Sequence, residues 1–316
     1  MTQNNKPREA FLPPRLQPGD RIRLVSPAST PTREGVAECV KIMEGWGLKP
    51  EIGNHVFDEY GYLAGKDEDR LADLNDAIRD PGVRAIIATR GGKGAYRIAD
   101  DLDFEAMRQN PKLYIGFSEN TIIELALWKH CHVTSIHGGI VSWNVKTQEA
   151  ENIERLRRML MTAEPIYVET RADEPTATLT TNGKASGFLM GGNQDMVATA
   201  AGWALPNLEG AILLLEDVDK RLGFIDRQLT MLEKAGHLKG IRGVAVGRYY
   251  LCGSDATTQG DWTAIDVLRD RLHRLNVPIL GGLALGHGNN TESVPLGTMA
   301  TLDANAGTLT VAAGVQ

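Results

Sequence analysis

Three short stretches each place a chemically able side chain just beyond an apolar run: Gly116-Phe117-Ser118-Glu119, Leu214-Leu215-Glu216-Asp217 and Leu285-Gly286-His287-Gly288. A hydroxyl, a carboxylate and an imidazole are the parts that acyl transfer needs. Serine is a weak nucleophile until a base takes its proton and donors hold the developing oxyanion. A serine at a strand-to-helix turn projects from the sheet edge, beside the unpaired first amides of the helix. Taken singly, each stretch has a plainer use. Ser118 reads first as the N-cap of the following helix, a role serine favours. The strict G-x-S-x-G elbow is absent, because Asn120 stands where the second glycine would be. Glu216 and Asp217 read first as loop carboxylates, with Glu216 starting where burial ends, and His287 as a loop histidine freed by its flanking glycines. Together they are one set, each member past an apolar strand, where α/β folds collect their ligands. A fourth stretch, Thr89-Arg90-Gly91-Gly92-Lys93-Gly94, also follows an apolar run. Its paired glycines allow a backbone N–H to approach a substrate closely, but it lacks the spacing of a phosphate loop.

The elements that must hold these residues read as two α/β units. Arg21–Val25, Ala85–Ala88 and Leu113–Phe117 have strand character. Helical stretches follow around Val36–Gly45, where Val36, Val40, Ile42 and Met43 lie near helical spacing, and over Asn120–His130. Strand, tight turn, helix, repeated, predicts a parallel sheet covered by helices on both faces. From about Val145 to Ala185 the periodicity fades into a Thr- and Pro-containing stretch. A second unit begins near Gly187, with strands at Ala211–Leu215, Gly243–Gly247 and Pro278–Leu280. A closing hairpin pairs Ala300–Leu302 with Leu309–Val311. The expected fold is therefore an N-terminal parallel-sheet α/β domain over residues 13–145, a linker over 146–185, and a C-terminal α/β domain over 186–316, with the site between them.

Composition narrows the class. The 316 residues suffice for two compact domains, and 42% hydrophobic with 23% charged residues is ordinary for a globular protein. The net charge of -6, without a basic block, argues against a nucleic acid polymer or an anionic membrane as partner. Three scattered cysteines fit a reducing compartment. No signal-peptide core and no run near the roughly 18 apolar residues of a bilayer span is present, so a cytoplasmic protein is expected.

In the same order along the chain, the motifs resemble those of the LD-carboxypeptidases, serine peptidases that include the microcin C immunity peptidases. The likeness runs from Leu16-Gln17-Pro18-Gly19-Asp20 and Ser26-Pro27-Ala28 through Arg90-Gly91-Gly92, Gly116-Phe117-Ser118 and His137-Gly138. It continues through Gly191-Gly192-Asn193, Leu215-Glu216-Asp217 and Ile225-Asp226-Arg227 to Gly286-His287-Gly288. The resemblance implies that Ser118 is the nucleophile, His287 the base and Glu216 the residue orienting that base. It places the oxyanion donors at the backbone amides of Gly92 and Glu119. It further implies metal-independent catalysis without a cofactor, a homodimer, and release of D-alanine from a peptidoglycan tetrapeptide. Three positions depart from the pattern: Glu119 where the family has Asp, Lys93 where it has Tyr, and Gly139 where it has Pro.

Cleaving an amide beside a free carboxylate requires a cation for that carboxylate, and Arg248 and Lys93 are the candidates. The alternative substrate is an aminoacyl-nucleotide conjugate, which wants an aromatic platform such as Trp143. A non-catalytic two-domain binding protein is the rival from another class. A Rossmann-type dinucleotide enzyme is disfavoured, since no G-x-G-x-x-G follows the first strand.

Overall fold

The computed structural model describes residues 10–139, 146, 148–253 and 261–316; Trp143 lies outside them. The first unit is built on strands β1 (Arg21–Val25), β2 (Lys49–Ile52), β3 (Val83–Ala88), β4 (Leu113–Gly116) and β5 (Ser135–His137). They pair in parallel in the order β5-β4-β3-β1-β2. The central strands are apolar without alternation, as strands covered on both faces must be, and Val83, Ala85, Ile86 and Leu113 are fully buried. Helices α1 (Arg33–Gly45), α2 (Asp67–Arg79), α3 (Phe104–Gln109) and α4 (Thr121–Cys131) complete this half. The start of α1 is fixed by Thr32, whose hydroxyl accepts from the Gly35 N–H at 3.2 Å.

Helix α4 is apolar all round, and Ile122, Ile123, Leu125, Ala126 and Leu127 are all buried. Such a helix needs cover on every side. It packs against the first sheet and against α6 (Gln194–Thr199) and β7 (Lys184–Asn193) of the second unit. The second sheet runs β10 (Ile279–Leu280), β9 (Gly243–Tyr250), β8 (Ala211–Val218), β7, β12 (Met299–Asp303), β13 (Thr308–Val311), β6 (Ile166–Glu169). From β10 to β7 it is parallel, and from β7 to β6 antiparallel. Helices α7 (Leu222–Lys234) and α8 (Ala264–Leu272) pack on one another.

Two features tie the halves together more tightly than the sequence suggests. Residues 146–185 stitch rather than merely link: α5 (Ala150–Met161) buries Leu156, Met159 and Leu160 with Leu16, Ile22, Ile87 and Ile115 of the first unit, while β6 forms the edge of the second sheet. In addition, β11 (Val294–Leu296), which follows the histidine loop, leaves the second unit and pairs antiparallel with β5 at the edge of the first sheet. No helix among the described residues is long and apolar enough to cross a membrane.

Candidate active site

Strand β4 ends at Gly116, and the chain turns into α4 through a single 3-10 turn, Ser118–Asn120. Ser118 sits in that turn at φ 62°, a left-handed conformation that costs a side-chain-bearing residue about 1–2 kcal/mol. Its hydroxyl caps no helix. The N-cap position of α4 belongs to Asn120, and Ser118 Oγ lies 3.1 Å from His287 Nε2. His287 Nδ1 in turn lies 2.7 Å from Glu216 Oε2. Hydroxyl, imidazole and carboxylate therefore form one line, although 169 residues separate Ser118 from His287 and 71 separate His287 from Glu216. The Phe117 ring packs against His287 at 4.6 Å between centroids, which confines the imidazole.

Glu216 does not begin where burial ends. Strand β8 runs on through Val218, and both Glu216 and Asp217 have 0% exposure. Glu216 lies between His287 and His137, and Asp217 beside Asn193, while the end of β8 beyond them lines the cleft. Burial works against the charge on Glu216, but His287 and, less strongly, His137 outweigh it, so its carboxyl is held below the usual range. Asp217 is compensated only in part, since Lys220 and the Val218 N–H favour its charge by less than burial and Glu216 disfavour it. Its Oδ1 accepts from Asn193 Nδ2 at 3.1 Å and from the Val218 N–H at 2.8 Å, while Oδ2 has no hydrogen-bond partner. Burial, and then the charge of Glu216, push the Asp217 carboxyl up to about 7 from 3.8.

That shift makes a prediction about stability. The folded protein keeps a proton on Asp217 that the unfolded chain releases, so folding stability falls as pH rises from about 4 to about 7. Asp217→Asn should remove this loss, on the order of 2–4 kcal/mol, while the Asn carbonyl keeps both hydrogen bonds. Urea midpoints at pH 5 and 8 check it: the gap between the two should narrow in the variant, and an unchanged gap would place the shift elsewhere.

The glycine turn after β3 lies on the other side of Ser118. A Cβ on Gly91 would stand 2.8 Å from Ser118 Cβ, and Gly92 holds φ 114°, so only glycine permits this approach. Glu119 explains one departure from the family pattern. Its side chain is buried and accepts from the Gly94 N–H at 2.7 Å, which binds the serine turn to the glycine turn. The residues whose amides were expected to be oxyanion donors, Gly92 and Glu119, thus belong to two turns clamped to each other.

A cleft of about 420 Å³ opens over Ser118 and His287, with walls that include Gly92, Lys93, Glu119, Asn193, Asp195 and Lys220. Lys93 is exposed on its rim. Arg248 is not in it. Its guanidinium pairs with Glu174 at 2.6 Å and donates to the Asn289 carbonyl at 2.6 Å, within a separate cavity of about 600 Å³. The sequence reading missed Lys220, whose ammonium reaches Asp195 at 2.5 Å inside the cleft. Burial opposes its charge, but Asp195 and Asp217 more than compensate and its pKa is raised. The signal for it was its place four residues after Glu216 on the same strand exit. His55, Asp58 and Asp69 are the one group among the described residues close enough to share a metal ion; it is partly exposed and apart from this cleft.

Residues 22–138 match the LD-carboxypeptidase N-terminal domain and residues 186–302 the LD-carboxypeptidase C-terminal domain. A Streptomyces coelicolor protein named for carboxypeptidase activity is 36% identical over 96% of this chain and 97% of its own. The murein tetrapeptide carboxypeptidase of Pseudomonas aeruginosa is 27% identical over 92% of this chain and 95% of its own. Among solved structures, the microcin C7 self-immunity protein MccF in complex with aspartyl sulfamoyl adenosine superposes with a TM-score of 0.82, covering 96% of this chain and 98% of that one at 20% identity. The fold is thus a two-domain α/β fold, with a sheet and its covering helices in each half, shared with that structure. The chain belongs to the LD-carboxypeptidase family.

Proposed function

We propose that this protein is a serine carboxypeptidase that cleaves the L,D-amide bond releasing D-alanine from murein tetrapeptide, with Ser118 as nucleophile, His287 as base and Glu216 as the carboxylate orienting His287. The observation that carries this reading is the continuous line Ser118 Oγ–His287 Nε2 at 3.1 Å and His287 Nδ1–Glu216 Oε2 at 2.7 Å, with Ser118 and His287 lining one cleft and Glu216 buried behind them. His287 takes the hydroxyl proton as Oγ attacks the carbonyl, and the ionised Glu216 stabilises the imidazolium and fixes its tautomer. The Gly92 and Glu119 amides hold the oxyanion, each such donor being worth about 3 kcal/mol of barrier. His287 gives its proton to the leaving amine, and water then releases the acyl group by the reverse course.

Arg90, Lys93 and Lys220 are the described cations that line the cleft. Lys93, exposed on its rim, best suits the substrate's terminal carboxylate, whereas Lys220 is paired with Asp195 and Arg248, outside the cleft, with Glu174. The family likeness also supports a cytoplasmic homodimer, and sedimentation equilibrium tests the dimer. The substrate test is a panel of murein tetrapeptide, its C-terminal amide, the tripeptide and an aminoacyl-sulfamoyl adenylate, with product masses read. Free alanine should appear from the tetrapeptide, and hardly any alaninamide from its amide. Turnover of the adenylate alone would move the substrate to the nucleotide class.

A further inference from the structure

The reaction uses one oxygen of Glu216. The other, Oε1, is buried without a well-formed hydrogen bond, although the nearby Asn193 side chain also favours the charge of Glu216, and a second acid–base pair stands behind it. His137, the last residue of β5, points Nε2 at Glu216 Oε1 across 4.0 Å and holds its Nδ1 2.9 Å from Glu124 Oε2. Glu124 comes from α4, the helix that begins beside Ser118. All three side chains are essentially excluded from solvent. Acid and base therefore alternate inward from the cleft, through His287, Glu216 and His137 to Glu124, supplied in turn by both halves of the molecule. Two of these residues the reaction leaves idle.

The surroundings limit what His137 can be. The titratable groups facing it are Glu124 from α4, Glu216 from β8 and, through Glu124, the Tyr114 phenol of β4. From β11 it meets Val294 in register, and from β7 Gly192, where a Cβ would come within 2.8 Å of His137 Cε1. Among the described residues, no other cation is placed to balance this pair of carboxylates from behind. A neutral ring donating Nδ1–H to Glu124 would turn a bare Nε2 lone pair on that oxygen of Glu216, an arrangement a buried site does not tolerate cheaply.

We infer that His137 is a positioning residue: it presents a positive charge, balanced by Glu124, to the second oxygen of Glu216, and so keeps that carboxylate ionised and turned toward His287. Burial disfavours the imidazolium, but Glu124 and then Glu216 outweigh it, and the pKa of His137 is raised. Burial also pushes the Glu124 carboxyl up to about 7 against the pull of His137, so it is the second carboxylate, Glu216, that favours the proton on the ring. The ion pair has its positive end toward Glu216. Removing it leaves the Glu216–His287 pair holding its shared proton more tightly, so unprotonated base becomes available only at higher pH.

The inference rests on the assignment of Ser118, His287 and Glu216 above, and its test separates the two. Histidine-labelled protein is titrated by 15N NMR without substrate, so the charge of His137 is read independently of turnover. His137 should be cationic across the whole range in which activity rises, and a neutral ring there overturns the inference. His137→Gln and Glu124→Gln should each lower kcat about 10-fold with little change in KM, and move the acid limb of kcat/KM up by about one pH unit. A purely structural pair would cost stability and leave that limb in place. An unmoved limb in either folded variant therefore also overturns it. Failure of the serine assignment shows separately, as activity retained in Ser118→Ala.

Discussion

Ser118→Ala should lower kcat on a confirmed substrate by at least about 10,000-fold while the protein stays folded. The hydroxyl supplies the covalent step, and a nucleophile removed from such a set typically costs as much as removing the whole set. The fold should survive, because alanine carries the same left-handed backbone cost as serine at φ 62° and loses one hydrogen bond, to His287. That bond is worth about 1 kcal/mol. Circular dichroism and a thermal melt establish the fold, and a burst-free progress curve establishes the loss of acylation. A variant retaining more than a few per cent of wild-type rate would remove Ser118 from its assigned role.

Glu216→Gln should cost on the order of 100- to 10,000-fold in kcat, the larger figure if the wrong tautomer dominates. The reason lies in the choice Gln has between its two ends. With its carbonyl toward His287 Nδ1 it keeps the right tautomer but gives up the negative charge. With its amide there, it forces Nδ1 to accept, so that Nε2 carries a hydrogen toward Ser118 and cannot take one. Without the negative charge the imidazolium is less favoured, so the acid limb of kcat/KM should move to lower pH. That direction is opposite to the one expected for the His137 and Glu124 variants. Equal rates and an unmoved limb in Glu216→Gln would place the orienting carboxylate elsewhere, and Asp217, buried on the same strand, would be the next to test.

Much of this was legible before any coordinates. The strands that end at Ser118 and near Glu216 are short apolar runs closed by a polar residue, and a parallel sheet makes such ends its ligand edge. Depth was harder to read. Glu216 and Asp217 looked like markers of a strand's end, yet β8 continues through them and both are buried, Glu216 between two histidines far away in sequence and Asp217 beside Asn193. Arg248 looked like a free cation, but Glu174, its partner, lies 74 residues away and no local pattern announces it. The same holds for Lys220 and Asp195, 25 residues apart. Glu124 did leave a trace: a lone acid in Ile-Ile-Glu-Leu-Ala-Leu, on a helix apolar on every face, has no solvent side to occupy. The three-residue strand β11 left none, since a crossing from one sheet to another is set by tertiary packing and not by periodicity.

That crossing has a consequence for the order in which the protein acquires its activity. The loop bearing His287 is strung between β10 in one sheet and β11 in the other, so the imidazole reaches Ser118 only after the last tenth of the chain has docked at both ends. Ser118, the proposed nucleophile, is made well before His287, its proposed base. On the assignment proposed above, a chain truncated before β11 should hydrolyse no substrate, because the strand that anchors the His287 loop to the first sheet is gone.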